Sequence, residues 1–205
     1  MKKPDKKPGI DYLVLVNGQH PLPGGWTDLL ETVPMTNSTQ DWFQVEKKTA
    51  AAYELLKADL ERDNIYLELD SALRSVAAQQ DLLDRFTAEY GPEKASKIVA
   101  PPGYSEHHTG LALDVCFRLR KEDGSFDNVY SNTDMLKEKY RSTWNTIYGK
   151  MTGYGFILRY PEGSEQITGY DYEPWHIRYL DDPGIAAEIM SRPGLTLEEY
   201  LERRH

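Results

Sequence analysis

The sequence predicts an α+β fold in one domain. Its 205 residues lie within the range of a single domain with extensions. Apolar residues recur with the period of an amphipathic helix in the longer segments and alternate as in a strand in the shorter ones. We find no internal repeat, low-complexity tract or linker between these segments. Strands and helices in this mixed order favour an α+β fold over a chain of separate domains.

The N-terminal segment differs from the rest of the chain. Residues 1–36 are rich in proline and show no helical period, which predicts an extended arm packed on the domain, with a short strand at residues 12–16. We expect residues 37–205 to form the main domain. Its first element is a helix over residues 41–63, because apolar side chains recur there on one helical stripe.

A strand and a second helix follow along the chain. Ile65, Leu67 and Leu69 alternate with polar side chains, which is the pattern of a half-buried strand. The helical period resumes over residues 76–90. Gly91, followed by proline, is a stop signal for that helix.

The second half of the chain continues the mixed order. After a Pro-Pro-Gly loop, the pattern predicts a strand over residues 111–119, a helix over residues 133–150, and strands over residues 156–160 and 175–180. Two short helices close the chain. Thr196 and Glu199 have the spacing of a capping box at the start of the last one.

Charge and cysteine content exclude several classes of function. Lys and Arg total 24 and Asp and Glu total 33, so the net charge is −9. A chain this acidic binds phosphate groups poorly, so we expect neither a nucleic-acid partner nor an anionic membrane surface. Cys116 is the only cysteine, which excludes an intramolecular disulfide and a thiolate zinc cluster.

The sequence also bears on location. No apolar run approaches the roughly 18 residues of a membrane span, and no apolar segment follows the basic residues at the N-terminus. As written, the sequence predicts a cytoplasmic protein without a membrane span. If a leader or anchor has been removed from it, the expected location is the cell envelope or the extracellular space.

Two clusters contain the candidate chemistry. The first includes His107, His108 and Asp114, and the second includes Glu173 and His176. Imidazoles and carboxylates are the ligands of N/O zinc sites that keep an open fourth position. The spacing does not choose between His107 and His108. Residue types alone leave open whether these side chains bind a metal or are ordinary structural polar groups.

Strand geometry adds a condition to this hypothesis. Fully extended, the seven-residue separation between His107 and Asp114 would span roughly 23 Å, so the two can share a metal only if the chain folds back. Gly110 is the residue at which it can bend. Pro174 keeps Glu173 extended just before the last strand, where its carboxylate reaches beside the metal rather than ligating it.

The motifs around these residues resemble those of the VanY and VanXY-type zinc D,D-peptidases, the D-alanyl-D-alanine carboxypeptidases and dipeptidases of bacterial wall metabolism. The resemblance covers roughly residues 12–200. Its main motifs are Ser105-x-His107-x-x-Gly110-x-Ala112-x-Asp114, Glu173-Pro-Trp-His176, the run from Tyr154 to Pro161, and Arg74-Ser75 with Gln79.

The resemblance implies a fold and a set of roles. The family fold is a small antiparallel sheet flanked by helices, with zinc on the sheet, and agrees with the order of elements above. By resemblance, residues 37–205 are the catalytic domain, the zinc ligands are His107, Asp114 and His176, and Glu173 is the catalytic base. When bound, zinc would polarise the scissile carbonyl and lower the pKa of a water molecule, and Glu173 would transfer the proton of that water to the leaving amine.

The resemblance also implies substrate-binding residues. Arg74 would pair with the terminal carboxylate of the substrate, and Gln79 and Ser105 would contact its peptide backbone. Trp175 would pack on the substrate. The sequence departs from the family at Ala72-Leu73, beside Arg74, and at Leu180-Asp181, after the last histidine. We expect both departures to lie beside the predicted pocket, where they bear on the substrate preference more than on the metal site.

The leading hypothesis is therefore a zinc-dependent D-alanyl-D-alanine carboxypeptidase, with D,D-dipeptidase activity as an extension of its range. Its partner would be a peptidoglycan stem peptide or a precursor that ends in D-Ala-D-Ala. An L,D-carboxypeptidase acting on tetrapeptide stems has similar zinc motifs, and a crosslink endopeptidase is a weaker alternative because Arg74 suits a free carboxylate. The alternative from another class is a non-catalytic cell-wall-binding domain, which has no need of Glu173.

Overall fold

A computed structural model describes residues 9–204, so the first eight residues of the predicted arm and His205 lie outside it. The strands are β1 (Thr32–Thr36), β2 (Trp42–Glu46), β3 (Ile65–Ser71), β4 (Ala112–Arg120), β5 (Phe126–Val129), β6 (Phe156–Leu158) and β7 (His176–Tyr179). The helices are α1 (Lys47–Leu60), α2 (Val76–Tyr90), α3 (Pro92–Ile98), α4 (Asn132–Met135), α5 (Arg141–Met151), α6 (Glu165–Thr168), α7 (Pro183–Met190) and α8 (Leu197–Glu202).

The central sheet has the strand order β3-β4-β7-β6, and β5 pairs with the far end of β4. Every pairing is antiparallel. The main core includes fully buried residues of α1, β3, β4 and α5, among them Leu56, Leu67, Phe117 and Ile147. The predicted α+β fold, a small antiparallel sheet flanked by helices, is confirmed.

The prediction of a helix from residue 41 was wrong in its first turn and a half. Residues 42–46 form β2, which pairs with β1 in a separate two-stranded hairpin. The aromatic and β-branched side chains of this segment suit a strand. The helix begins only at Lys47, because the Glu46 carboxylate accepts hydrogen bonds from the backbone N–H groups of Lys48 and Thr49 and so caps α1.

Two further predictions need correction. Residues 12–16 form no strand, and the carbonyls of Tyr12 and Val14 instead accept hydrogen bonds from the Arg178 guanidinium. The helix predicted over residues 133–150 is interrupted, since Lys137 has extended backbone angles between α4 and α5. The remaining predicted strands and helices form within a few residues of their expected bounds.

The segment before the hairpin packs on the sheet. Val14 and Val16 contact Trp26 and Leu111, the residue that precedes β4. The hairpin itself spans residue 36, the position at which the sequence predicts the arm to end. The division into an arm and a catalytic domain stays a prediction. Among residues 9–204, no helix has the length and apolar composition of a membrane span.

Substitution of Gly110 by alanine tests how tightly the turn before β4 is constrained. Its φ is +72°, and a Cβ at this position would lie 3.3 Å from Glu46 Cβ. Gly124 has a similar φ of +83° with nothing within 4 Å of such a Cβ. We expect Gly124→Ala to lower the free energy of unfolding by about 1–2 kcal/mol, the cost of a left-handed alanine.

Gly110→Ala should cost more than Gly124→Ala, because it adds crowding against Glu46 to the same backbone strain. Urea unfolding of both variants measures the difference. If both variants lose the same free energy of unfolding, crowding against Glu46 adds nothing to the cost of Gly110→Ala.

Candidate active site

Strand register and one tight turn bring three candidate metal ligands together. In the antiparallel β4–β7 pair, Asp114 lies directly opposite His176. A 3₁₀ turn at Glu106–Thr109 precedes Gly110, whose left-handed conformation folds the chain back before β4. This return places His107 beside the two strands, and one ligand atom from each of His107, Asp114 and His176 lies within 4.8 Å of the others.

The atoms that face one another are defined by short contacts. His107 Nε2 lies 3.1 Å from Asp114 Oδ2, and His176 Nδ1 lies 3.0 Å from Asp114 Oδ1. The other ring nitrogen of His107, Nδ1, lies 2.8 Å from the carbonyl oxygen of Ala72. A carbonyl only accepts, so His107 Nδ1 carries the proton and Nε2 presents its lone pair to the group.

The residues present fit a divalent metal ion. Asp114 Oδ1 is buried and accepts no hydrogen bond, although His176 Nδ1 is close to it. An acceptor buried without a partner is costly, and a cation among the three side chains would remove that cost. Two imidazoles and one carboxylate match catalytic zinc sites that keep a fourth position open.

Glu173 lies beside this group without joining it. Its Oε2 is 3.7 Å from His176 Nδ1, and its backbone N–H donates to the carbonyl of Tyr160. Burial, with the negative charge of Asp114, raises the pKa of Glu173 to about 8. A carboxyl group with such a pKa exchanges a proton near neutral pH, as a general acid–base group requires.

The three candidate ligands lie in a cleft of about 920 Å³ that is lined by all of the predicted site residues. Arg74 lies on its wall, with Nη2 3.8 Å from Asp114 Oδ2. Nη1 donates to Gln79 Oε1 at 2.9 Å and Nη2 donates to Ser71 Oγ at 2.6 Å. The amide nitrogen of buried Gln79 donates to the carbonyl of Ala100. Gln79 therefore orients the Arg74 guanidinium in this structure.

The other two predicted substrate contacts also lie on the cleft wall. Ser105 caps the 3₁₀ turn, since its Oγ accepts from the backbone N–H of His107 at 3.3 Å. Trp175 is half-buried and packs against the main core. The roles assigned to Ser105, Trp175, Gln79 and Arg74 remain predictions.

His108 points away from the candidate ligands. Its Nε2 accepts a hydrogen bond from the backbone N–H of Gly103 at 3.1 Å. Its Nδ1, which then carries the proton, donates to the carbonyl of Arg74 at 2.7 Å. The structure thus separates the two histidines that the spacing left open. His107 joins Asp114 and His176, while His108 connects the Arg74 segment to the loop at Gly103.

Sequence reasoning missed a buried charge network behind the site. Glu106 Oε1 accepts hydrogen bonds from Arg159 Nε and Arg178 Nη1, both at 2.7 Å. Arg159 also donates to both carboxylate oxygens of Glu198, at 2.9 and 2.6 Å. Burial opposes ionisation, but the two guanidiniums hold the pKa of Glu106 far below its usual range. The signal in the sequence was a single arginine inside each of two apolar strand patterns.

Comparison with known proteins identifies carboxypeptidases among the relatives of this chain. The family model VanY, described as D-alanyl-D-alanine carboxypeptidase, matches residues 43–182. The putative carboxypeptidase YodJ of Bacillus subtilis (strain 168) is 35% identical over 201 residues, which cover 94% of this chain and 68% of that protein. The bifunctional D-Ala-D-Ala dipeptidase and carboxypeptidase VanXYC of Enterococcus gallinarum is 32% identical over 195 residues, 93% of this chain and 94% of the relative.

Solved structures agree with these relatives. A mutant of the vancomycin resistance D,D-pentapeptidase VanY in complex with Zn(II) has a TM-score of 0.72 at 29% identity and covers 93% of this chain and 98% of its own. VanYB in complex with D-alanine-D-alanine has a TM-score of 0.73 at 28% identity, covering 95% and 99%. The LdcB LD-carboxypeptidase has a TM-score of 0.72 at 32% identity, covering 98% and 92%.

The network behind the site predicts a pH-dependent stability. Burial opposes ionisation, but Arg159 lowers the pKa of Glu198 in the folded protein. The stabilisation from this carboxylate is complete above the unfolded-state pKa of about 4.3 and is lost as the pH falls through the lower folded-state pKa. We expect Glu198→Gln to lower the free energy of unfolding by about 3 kcal/mol at pH 7, and we expect the difference from the parent to shrink below pH 4.

Urea unfolding over a pH series measures this difference. Glu188→Gln is the matched control, because Glu188 pairs with Arg192 at the surface, where both side chains are about half exposed. The control should cost less than about 1 kcal/mol. Equal losses in the two variants, or a difference that persists in acid, would contradict the account.

Proposed function

This chain belongs to the VanY family of D-alanyl-D-alanine carboxypeptidases, and we propose that it is a zinc-dependent enzyme that removes the terminal D-alanine from peptidoglycan stem peptides or their precursors. The observation that supports this most strongly is the convergence of His107, Asp114 and His176 in one cleft with Glu173 and Arg74. We further propose that residues 37–205 form the catalytic domain and residues 1–36 an arm packed on it.

Zinc is the proposed cofactor, with His107, Asp114 and His176 as its ligands. The donor set is of the N/O type that leaves zinc an open position, and the orphaned Asp114 oxygen is consistent with a cation there. A similar VanY structure contains Zn(II). When bound, zinc would polarise the scissile carbonyl and lower the pKa of a water molecule.

Glu173 is the proposed general base. Its carboxyl lies at the edge of the candidate ligand group, 3.7 Å from His176 Nδ1. From this position it accepts the proton of the attacking water and returns it to the leaving amine of D-alanine. Its buried surroundings and the pKa of about 8 suit a group that must take up and release a proton in each turnover.

Arg74 is the proposed anchor for the terminal carboxylate. A guanidinium remains charged and can pair with a carboxylate through two N–H groups. Hydrogen bonds to Gln79 and Ser71 hold it on the wall next to Asp114, which limits the substrate to a free C-terminus close to the scissile bond. Ser105 and Trp175 line the same cleft, where they would contact the peptide backbone and pack on the substrate.

The second candidate is an L,D-carboxypeptidase. The similarity to the LdcB LD-carboxypeptidase, at 32% identity over nearly the whole chain, favours it specifically. The two activities use the same metal and base and differ in the configuration of the residue before the scissile bond. The expectation that both departures from the family motifs lie beside the pocket is wrong for Leu180-Asp181, because Leu180 packs with α7 and α8 and Asp181 pairs with Lys48. Ala72 does not line the cleft either, but its carbonyl contacts His107 Nδ1.

A substrate series separates the two activities. The zinc-loaded protein is incubated with L-Ala-D-Glu-L-Lys-D-Ala-D-Ala, with its tetrapeptide product and with the dipeptide D-Ala-D-Ala, and free D-alanine is measured by mass spectrometry. We expect release from the pentapeptide that stops at the tetrapeptide, and dipeptide cleavage would add D,D-dipeptidase activity. Trimming to the tripeptide would instead establish the L,D-carboxypeptidase, and no release from any substrate would contradict both.

The role of Glu173 predicts a separation of metal binding from turnover. Glu173→Gln should retain zinc and lower kcat by about 100- to 10,000-fold, because the variant lacks the proton acceptor. Asp81→Asn is the control, since it removes an exposed carboxylate from the same cleft at a residue with no assigned role. The control should turn over at the parent rate. Near-parent turnover by Glu173→Gln would remove Glu173 from the mechanism.

The role of Arg74 predicts a substrate-dependent defect. Arg74→Gln should lower kcat/KM for peptides with a free C-terminus by about 10- to 100-fold, because a charge-assisted pair is lost. Arg74→Lys keeps the charge but lacks the paired N–H groups, so its kcat/KM should lie between that of the parent and that of Arg74→Gln. Amidated peptides should be poor substrates for all three proteins. A parent enzyme that cleaves amidated and free peptides equally well would refute this anchor.

A further inference from the structure

We propose that Glu106 is a positioning residue for His176, because it fixes which ring nitrogen of His176 carries the proton. The inference rests on the proposed metal site, in which His176 is a ligand. Glu106 is not one of the three candidate ligands, and its carboxylate faces the ring nitrogen of His176 that points away from Asp114.

The two oxygens of the Glu106 carboxylate have different surroundings. The side chain is fully buried. Oε1 accepts hydrogen bonds from Arg159 and Arg178. Oε2 faces His176 Nε2 at 3.4 Å. One oxygen is therefore occupied by cations, and the other is directed at the imidazole.

Hydrogen bonds to other groups fix the orientation of both guanidiniums that donate to Glu106. Arg178 Nη2 donates to the carbonyls of Tyr12 and Val14, and its Nε donates to the carbonyl of Tyr179. Arg159 uses its remaining nitrogens on Glu198. Arginine stays protonated in proteins, so Glu106 lies between two permanent charges as a carboxylate, which only accepts hydrogen bonds.

This fixes the tautomer of His176. Both ring nitrogens face a carboxylate oxygen, but only Nδ1 lies among the candidate ligands, where a metal ion would take its lone pair. Glu106 Oε2 only accepts, so in the metal-bound site Nε2 would carry the proton and donate to it. Nδ1 is left with its lone pair, 3.0 Å from Asp114 Oδ1, where the candidate ligands converge. A carboxylate behind a ligating imidazole also makes that imidazole a stronger ligand.

His107 provides an internal contrast. Its proton is fixed on Nδ1 by the carbonyl of Ala72, so it presents Nε2. The two histidines would thus bind the metal through different ring nitrogens, one set by a backbone carbonyl and the other by Glu106. The Tyr160 ring also packs on His176, with 4.7 Å between ring centroids. Packing alone could hold the ring plane, but it could not choose between the tautomers.

Glu106→Gln tests the choice of tautomer. The amide oxygen must face the two arginines, because the amide NH₂ cannot accept their hydrogen bonds. The NH₂ group then donates to His176 Nε2 and favours the tautomer with the proton on Nδ1. At Nδ1 this proton competes with the metal. We expect the dissociation constant for zinc to rise by about 10- to 100-fold, measured by competition with a chromophoric chelator.

Glu198→Gln is the matched control. It removes the same charge from the same network, and Glu198 pairs with Arg159 without contacting His176. The control should lose stability but keep the zinc affinity of the parent. If Glu106 were only a structural partner for the arginines, the two variants would change zinc affinity equally, and that result would overturn the proposal.

A second measurement on the parent needs no variant. Nitrogen-15 NMR of the imidazole rings in the zinc-loaded protein identifies the metal-bound and protonated nitrogens. We expect zinc on Nδ1 and the proton on Nε2 of His176, with the reverse assignment in His107. Zinc on Nε2 of His176 would overturn this proposal alone, even if Glu106→Gln fails to fold. A parent that binds no zinc would overturn the metal site, and with it this inference.

Discussion

The antiparallel register of β4 and β7 determines the rest of the site. It places Asp114 opposite His176 across two neighbouring strands, although the two residues are far apart in sequence. The left-handed turn at Gly110 then returns His107 to the same point. Because adjacent side chains on a strand point to opposite faces, a slip of one residue would move Asp114 to the other face of the sheet. The metal group therefore depends on the pairing of the sheet as a whole.

The buried network gives this arrangement a second support. Glu106, Arg159, Arg178 and Glu198 are buried charged residues whose contacts extend from the N-terminal segment to α8. Buried ion pairs of this kind are rarely a net source of stability compared with apolar side chains. Their position directly behind His176 offers a different reason for their presence, since a carboxylate there controls the imidazole. The segments before β1 and after β7 thereby contribute to a site whose candidate metal ligands they do not supply.

Much of this structure could be read from the sequence. Local periodicity located β3, α2 and β4. The spacing of the motifs left His107 and His108 as alternatives, and only the family resemblance selected His107 with Asp114 and His176, the three that the structure brings together. The errors fell where tertiary contacts decide. Residues 42–46 show a helical stripe that continues into α1, but pairing with β1 draws them into a strand. The partners of Glu106 lie 53 and 72 positions away. No local pattern reveals that an arginine directly after β6 and another within β7 both donate to this one carboxylate.

The central claim is that His107, Asp114 and His176 hold one zinc ion beside Glu173. Anomalous diffraction from crystals of the zinc-loaded protein, recorded on both sides of the zinc absorption edge, tests this most directly. The account predicts one peak at about 2.0–2.2 Å from His107 Nε2, His176 Nδ1 and an oxygen of Asp114. A peak at any other group of residues, or fully occupied zinc without one of these three ligands, would contradict it.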